Sequence, residues 1–199
     1  MKESTSENIR CITKEDPEYP VKMKQYPSMP NKLYVKGRLP LAEKPAVAVI
    51  GARMCSPYGR IQAFRYAKVL SEAGIQIISG MALGIDSEGH KGALEGKMPT
   101  FAVLGSGVDV CYPRANRKLY ERILWEGGGV ISECLLGHSL CHGAFRPEIV
   151  SSVHWQMQCS LWKQRKTVLP DHCRVCFGTG KNGICYSRCS YRCSQQGLP

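Results

Sequence analysis

A parallel α/β sheet with flanking helices is the fold class this sequence predicts, and three observations predict it. Apolar runs of strand length recur at AVAVI (46–50), IQIIS (75–79) and TFAVL (100–104). Each is followed by a glycine-rich turn: GARMCSPYG, GMALGID and GSGVD. Stretches with a helical apolar period fill the intervals between the runs, as alternating strands and helices in a parallel sheet require. Such a sheet delivers its loops to the carboxyl ends of the strands, where ligands bind. Glycines there let the backbone approach an anion, and helix N-termini supply unbonded N–H groups. Three such turns in one domain suggest a groove for a phosphate-bearing partner.

The elements follow in order. Residues 1–45 are polar and punctuated by Tyr19-Pro20, Tyr26-Pro27 and Met29-Pro30. Each proline pushes its predecessor towards extended structure, and a short strand, LYVKG (33–37), closes the region. This part reads as an N-terminal arm packed on the main domain. AVAVI is a continuous apolar run, as expected of a strand covered on both faces. A helix is expected over 57–73, with Ile61, Phe64, Ala67 and Leu70 as its apolar stripe and Gly74 at the C-terminal cap. After IQIIS comes a helix over about 86–95, with Asp86 as its N-cap; His90, one turn on, has no nucleophile or carboxylate set around it in sequence. TFAVL, a helix over about 115–125 and the strand GVISE (129–133) complete residues 46–137. There are no internal repeats.

After Gly137 this grammar stops. The 199-residue chain carries eleven cysteines, and seven of them fall between Cys141 and Cys193. Its formal charge of +11 favours an anionic partner, nucleic acid first, but residues 138–199 hold eight Lys/Arg against two Asp/Glu and inflate that basicity. No run approaches the roughly 18 apolar residues of a membrane span. MKESTSENIRC lacks the apolar core of a signal peptide, so a cytoplasmic address and no membrane partner are expected.

Several motifs carry candidate chemistry. In GARMCSPYG, Gly51 could cradle a phosphate with Arg53 as the paired charge; a tight strand-to-helix turn with a solvated arginine is the alternative. Gly80 and Gly84 flank the short loop of SGMALGID. GSGVD lacks the third glycine of a dinucleotide fingerprint, since Val110 stands in its place, which argues against an NAD or FAD oxidoreductase. YPRANRKLY (112–120) sets Arg114, Arg117 and Lys118 beside Tyr112, a combination that suits single-stranded nucleic acid or an exposed amphipathic helix start. In the tail, Cys173-x-x-Cys176 with Cys185 and Cys189, and with Cys193 and His172 alongside, has partial zinc-ligand spacing.

Gly51-Ala-Arg53, Pro57-Tyr58-Gly59, SGMALGID, GHKGAL (89–94), AVLGSGVDVCYPRAN (102–116) and ISE (131–133) occur in the order seen in the DNA-processing protein A (DprA/Smf) family, which residues 17–137 resemble. The resemblance implies a Rossmann-like domain that binds single-stranded DNA, dimerises and helps load the RecA recombinase during natural transformation, with no catalysis and no cofactor. It implies Arg53 as a phosphate-binding arginine, Arg117 or Lys118 as the basic position after YPxxN, and Gly51, Gly80 and Gly84 as loop glycines. Leu83 stands where the family often has arginine. A related Rossmann-like nucleotide-processing enzyme of the phosphoribohydrolase type would need a PGGxGTxxE motif, which the sequence lacks.

The family continues after ISE with a segment resembling FPARNRIISALADA, absent here. The tail can, however, be back-translated with synonymous codons. Phe145 to Leu169 then permits FPARNRIISALADAVLVVEAKENGS in a shifted frame, and the residues from Asp171 permit ITAEFALEQGKTGYAIAGVVIDALSRG in the remaining one. A frameshift near 137–138 and a further slip near Pro170 are therefore expected. On that reading the sheet is incomplete on its C-terminal side with an open edge, the tail is irregular, the family's dimer-forming portion is lost, and DNA binding is impaired.

Overall fold

In the computed structural model, residues 9–24, 29–137, 174–179 and 183–188 are described. Four parallel strands form the centre: β3 (Ala46–Ile50), β4 (Gln76–Ser79), β5 (Thr100–Leu104) and β6 (Gly129–Ser132). They lie side by side in chain order. Right-handed crossovers between strands that advance in one direction bring their helices to one face. Those helices are α2 (Pro57–Glu72), α3 (Ile85–Glu95) and α4 (Arg117–Trp125), the last entered through a single 3-10 turn, Arg114–Asn116.

The period-2 alternation of the strands assigns the core. Val47, Val49 and Ile77 pack with Ala63, Ala67, Ile85 and Ala93 of α2 and α3. Ala102, Leu104 and Val130 pack with Leu119, Tyr120 and Ile123 of α4. Their neighbours Ile78, Phe101, Val103 and Ile131 point to the other face and meet the N-terminal arm. The arm supplies β1 (Ile9–Thr13), a four-residue helix α1 (Val21–Lys24) and β2 (Lys32–Gly37). β2 pairs antiparallel with β6, and β1 with β2. Tyr19, Met23, Met29 and Leu33 bury against the sheet, and the Tyr19 hydroxyl donates to Pro30 O at 2.6 Å. The arm is the second layer of the fold.

One local expectation changes. The buried stripe of α2 is Gly59, Ala63, Ala67 and Ser71, whereas Ile61 is 56% exposed. The reason lies in α3, whose backbone comes very close. A Cβ on Gly92 would stand 2.2 Å from Phe64 O, and one on Gly96 would stand 2.4 Å from Ser71 Cβ. Only small side chains fit such an approach, so the helix turns its small face inward, with Ile61 and Val69 outward and Leu70 half-buried at the side of the core. Buried Ser71 is satisfied: its hydroxyl donates to Ala93 O at 2.6 Å and accepts Met98 N–H at 3.0 Å.

The outer edge of β3 pairs antiparallel with β7 (Arg174–Thr179), and β7 pairs with β8 (Gly183–Arg188). These two short strands form a hairpin within the Cys-rich tail. The register sets Cys176 opposite Tyr186 and Cys185 opposite Phe177. Cys173, Cys189, Cys193 and His172 lie outside the described residues.

Candidate nucleic-acid interface

The three turns after β3, β4 and β5 meet at one end of the sheet, and two contacts lock the first to the second. Ile85 N–H donates to Ala52 O at 3.3 Å. Gly84 has φ +84°, and a Cβ there would stand 2.4 Å from Ala52 O and 2.5 Å from Arg53 O. Glycine is required here both for conformation and for clearance. The third turn joins through Asn116, which is buried and whose Nδ2 donates to Met81 O at 2.7 Å. Met81 itself has φ +61°, so Asn116 secures a backbone conformation that side chains disfavour.

A groove of about 750 Å³ opens over these turns. Arg53 on the first turn, Arg60 on α2 and Lys91 on α3 line it, with Ser56, Gly84 and Asn116. Ser56 caps α2, its hydroxyl accepting Gly59 N–H at 3.1 Å. Met54, 90% exposed, and Leu83, 44% exposed, add apolar surface to the same groove. One acid belongs to it: Glu88 accepts from Lys91 Nζ at 2.9 Å. Basic side chains spaced around a concave floor, with apolar surface between them, suit an extended polyanion with exposed bases.

The residues singled out from sequence separate into two places. Arg53 and Gly84 line the groove. Gly51 and Gly80 lie at its back, where their N–H groups donate to the Asp86 carboxylate at 3.2 Å each. Asp86 is therefore not the N-cap of α3. Gly84 occupies the cap position, and Asp86, one residue inside the helix, binds outward to the turns. Burial, opposed by the N–H donors of Gly51, Ala82 and Gly80, pushes its carboxyl up to about 6. Arg117 and Lys118 stand elsewhere, exposed on the first turn of α4, with Arg117 Nε donating to Glu121 at 3.0 Å. Arg60 and Lys91 escaped the sequence reading because each looks like an ordinary helix-surface cation; their neighbourhood exists only after α2 and α3 pack.

His90 is fully buried, one turn after Asp86. Thr100 Oγ1 donates to Ile77 O at 2.7 Å, so it accepts from His90 Nδ1–H at 2.8 Å. His90 Nε2 has no partner among the described residues. Burial lowers the imidazole to about 3, so it stays neutral and serves packing. Among the described residues there is no cluster of His, Cys, Asp and Glu fit to hold a metal ion, and no helix is long and apolar enough to cross a membrane.

The profile of the family described as DNA recombination-mediator protein A matches residues 10–152. The chain belongs to this family. That description names a DNA recombination mediator. Protein Smf of Synechocystis is 36% identical over 149 residues, covering 73% of this chain and 37% of the relative. DNA processing protein DprA of Streptococcus pneumoniae is 40% identical over 105 residues, covering 53% and 37%. The chain thus spans 37% of the length of these curated relatives. The crystal structure of the S. pneumoniae protein superposes with a TM-score of 0.65 at 32% identity, over 74% of this chain and 52% of that one. A Helicobacter pylori DNA processing protein A, described for its unique single-stranded DNA binding mode, superposes with a TM-score of 0.62 at 27% identity, over 75% and 67%.

Proposed function

We propose that the groove over the three turns binds single-stranded DNA through its phosphates, in the DNA processing of natural transformation in the cytoplasm. The observation that carries this reading is the convergence of Arg53, Arg60 and Lys91 on one strand-end groove. The single-stranded DNA binding described for the H. pylori relative supports the choice of ligand. Arg53 and Arg60 engage phosphates, Lys91 contributes against the counter-charge of Glu88, and Met54 and Leu83 offer apolar surface to the bases. Backbone amides of Gly51 and Gly80 take no part, because Asp86 occupies them. Delivery of the bound strand to RecA belongs to the same reading; assembly into a homodimer, which the family resemblance implies, is impaired where the frame of residues 138–199 is shifted. Both are assigned to the whole protein rather than to the groove.

Fluorescence anisotropy of a labelled oligo-dT, titrated at several salt concentrations, tests the groove. Three cations on a single strand predict a log–log salt slope near 2 and a dissociation constant on the order of micromolar at low salt. The double substitution Arg53→Ala with Arg60→Ala should weaken binding at least tenfold and bring the slope below about 1. Unchanged binding in that variant would sink the proposal.

Residues 138–199 are read here as the product of a shifted reading frame. The support is the family-like translation available to their codons and the change of composition at Gly137. Sequencing the DNA across codons 130–199 decides it. The other frames should read on into FPARNRI and ITAEFAL; stops or unrelated sequence there would overturn the reading.

A further inference from the structure

The turns that the sequence marks for an anion already hold one. Asp86 is 4% exposed. Its Oδ1 accepts Gly51 N–H and its Oδ2 accepts Gly80 N–H, each at 3.2 Å. These glycines are the first residues after β3 and β4, which are adjacent parallel strands. A single carboxylate therefore bridges two neighbouring strand ends. Amides at this position are the donors with which a parallel α/β sheet holds a mononucleotide phosphate. A phosphate entering there would meet a carboxylate already seated on both amides.

We propose that Asp86 is a resident substitute for a ligand phosphate, closing the amide seat at the ends of β3 and β4. Phosphate-bearing partners are thereby confined to the cationic side chains of the groove outside. This selects by class. A mononucleotide or dinucleotide cofactor needs a compact amide cradle and finds it taken. An extended polyanion needs only separated cations and is accepted. The inference does not depend on the polyanion being DNA.

The test uses the full-length, ¹⁵N-labelled protein with two probes, inorganic phosphate and dTMP. In the wild type the Gly51 and Gly80 amide signals should not move with either probe up to millimolar concentration. Asp86→Ala should gain a saturable phosphate response at both amides and a phosphate-dependent rise in melting temperature. Asp86→Asn, which keeps one acceptor oxygen in the seat, should gain neither. A saturable shift of the wild-type Gly51 and Gly80 amides would overturn the proposal, and so would a folded Asp86→Ala variant that gains no phosphate response. If that variant does not fold, the wild-type amides decide alone. Failure of oligo-dT to bind anywhere would sink the DNA reading and leave this result standing.

Discussion

Two cationic regions of similar sequence appearance differ in what surrounds them. Arg53, Arg60 and Lys91 come from a loop and two helices and line a concave surface at the strand ends. Arg114, Arg117 and Lys118 are near neighbours in sequence and lie exposed along the start of α4. In the second region Arg117 is spent on an exposed i,i+4 pair with Glu121, where solvent screens the attraction. Charge density along the chain does not distinguish the two. Concavity does, because several cations reach one phosphate chain only where the backbone turns bring them around it.

The largest effect comes from disturbing what holds the concave region. Gly84→Val would set a branched side chain against Ala52 O and Arg53 O at a φ of +84°. Strain and overpacking together should cost about 3 kcal/mol or more in denaturant unfolding. The Arg53 loop must also move, so oligo-dT affinity should fall more than tenfold by anisotropy. The α4 bank is untouched by this change. Retained binding in a folded Gly84→Val variant would therefore transfer the site to α4.

Much of this was readable in the sequence. The four parallel strands follow from their apolar runs within a residue of each boundary, and the glycine turns mark the ligand-bearing end. The arm was harder to read. In β1, Arg10 and Cys11 are exposed at a sheet edge, so IRCIT lacks the apolar signature of a strand. On α2, hydrophobicity ranks Ile61 above Ser71, while the approach of the α3 backbone ranks side chains by size; Ala67 satisfies both. Asn116 gave one faint signal, an amide within YPRAN, but its role depends on the strained Met81 backbone it holds. Asp86 was seen as a helix cap because sequence cannot show a carboxylate reaching back to two strand ends.

A smaller effect separates the two regions by pH. The groove rests on α3, which buries Asp86 and His90 one turn apart on one side, whereas the α4 bank is exposed. Asp86 is raised from 3.8 to about 6. Its contribution to stability is thus full below the unfolded value and lost as pH rises through about 6. His90 is lowered from 6.5 to about 3, so its contribution is present above the unfolded value and lost as pH falls. Between about pH 4 and 6 the two slopes oppose each other, each near 1.4 kcal/mol per pH unit. Relative to wild type, Asp86→Asn should make the protein more acid-sensitive over this window. His90→Gln should make it relatively more stable as pH falls. Urea unfolding at half-unit pH steps reads both; parallel slopes in the three proteins would show that neither group titrates as its burial demands.

The smallest effects test the comparison most directly, because they move single charges. Leu83 lines the groove, 44% exposed. Leu83→Arg should add one phosphate contact, tighten oligo-dT binding about three- to tenfold at low salt, and steepen the salt slope by about 0.7. Arg117→Ala with Lys118→Ala should change affinity less than twofold and leave the slope alone. Equal and opposite responses would mean that the strand crosses both regions. A response confined to Leu83→Arg would place the phosphate path in the groove, since a cation gains affinity only where the polyanion already runs.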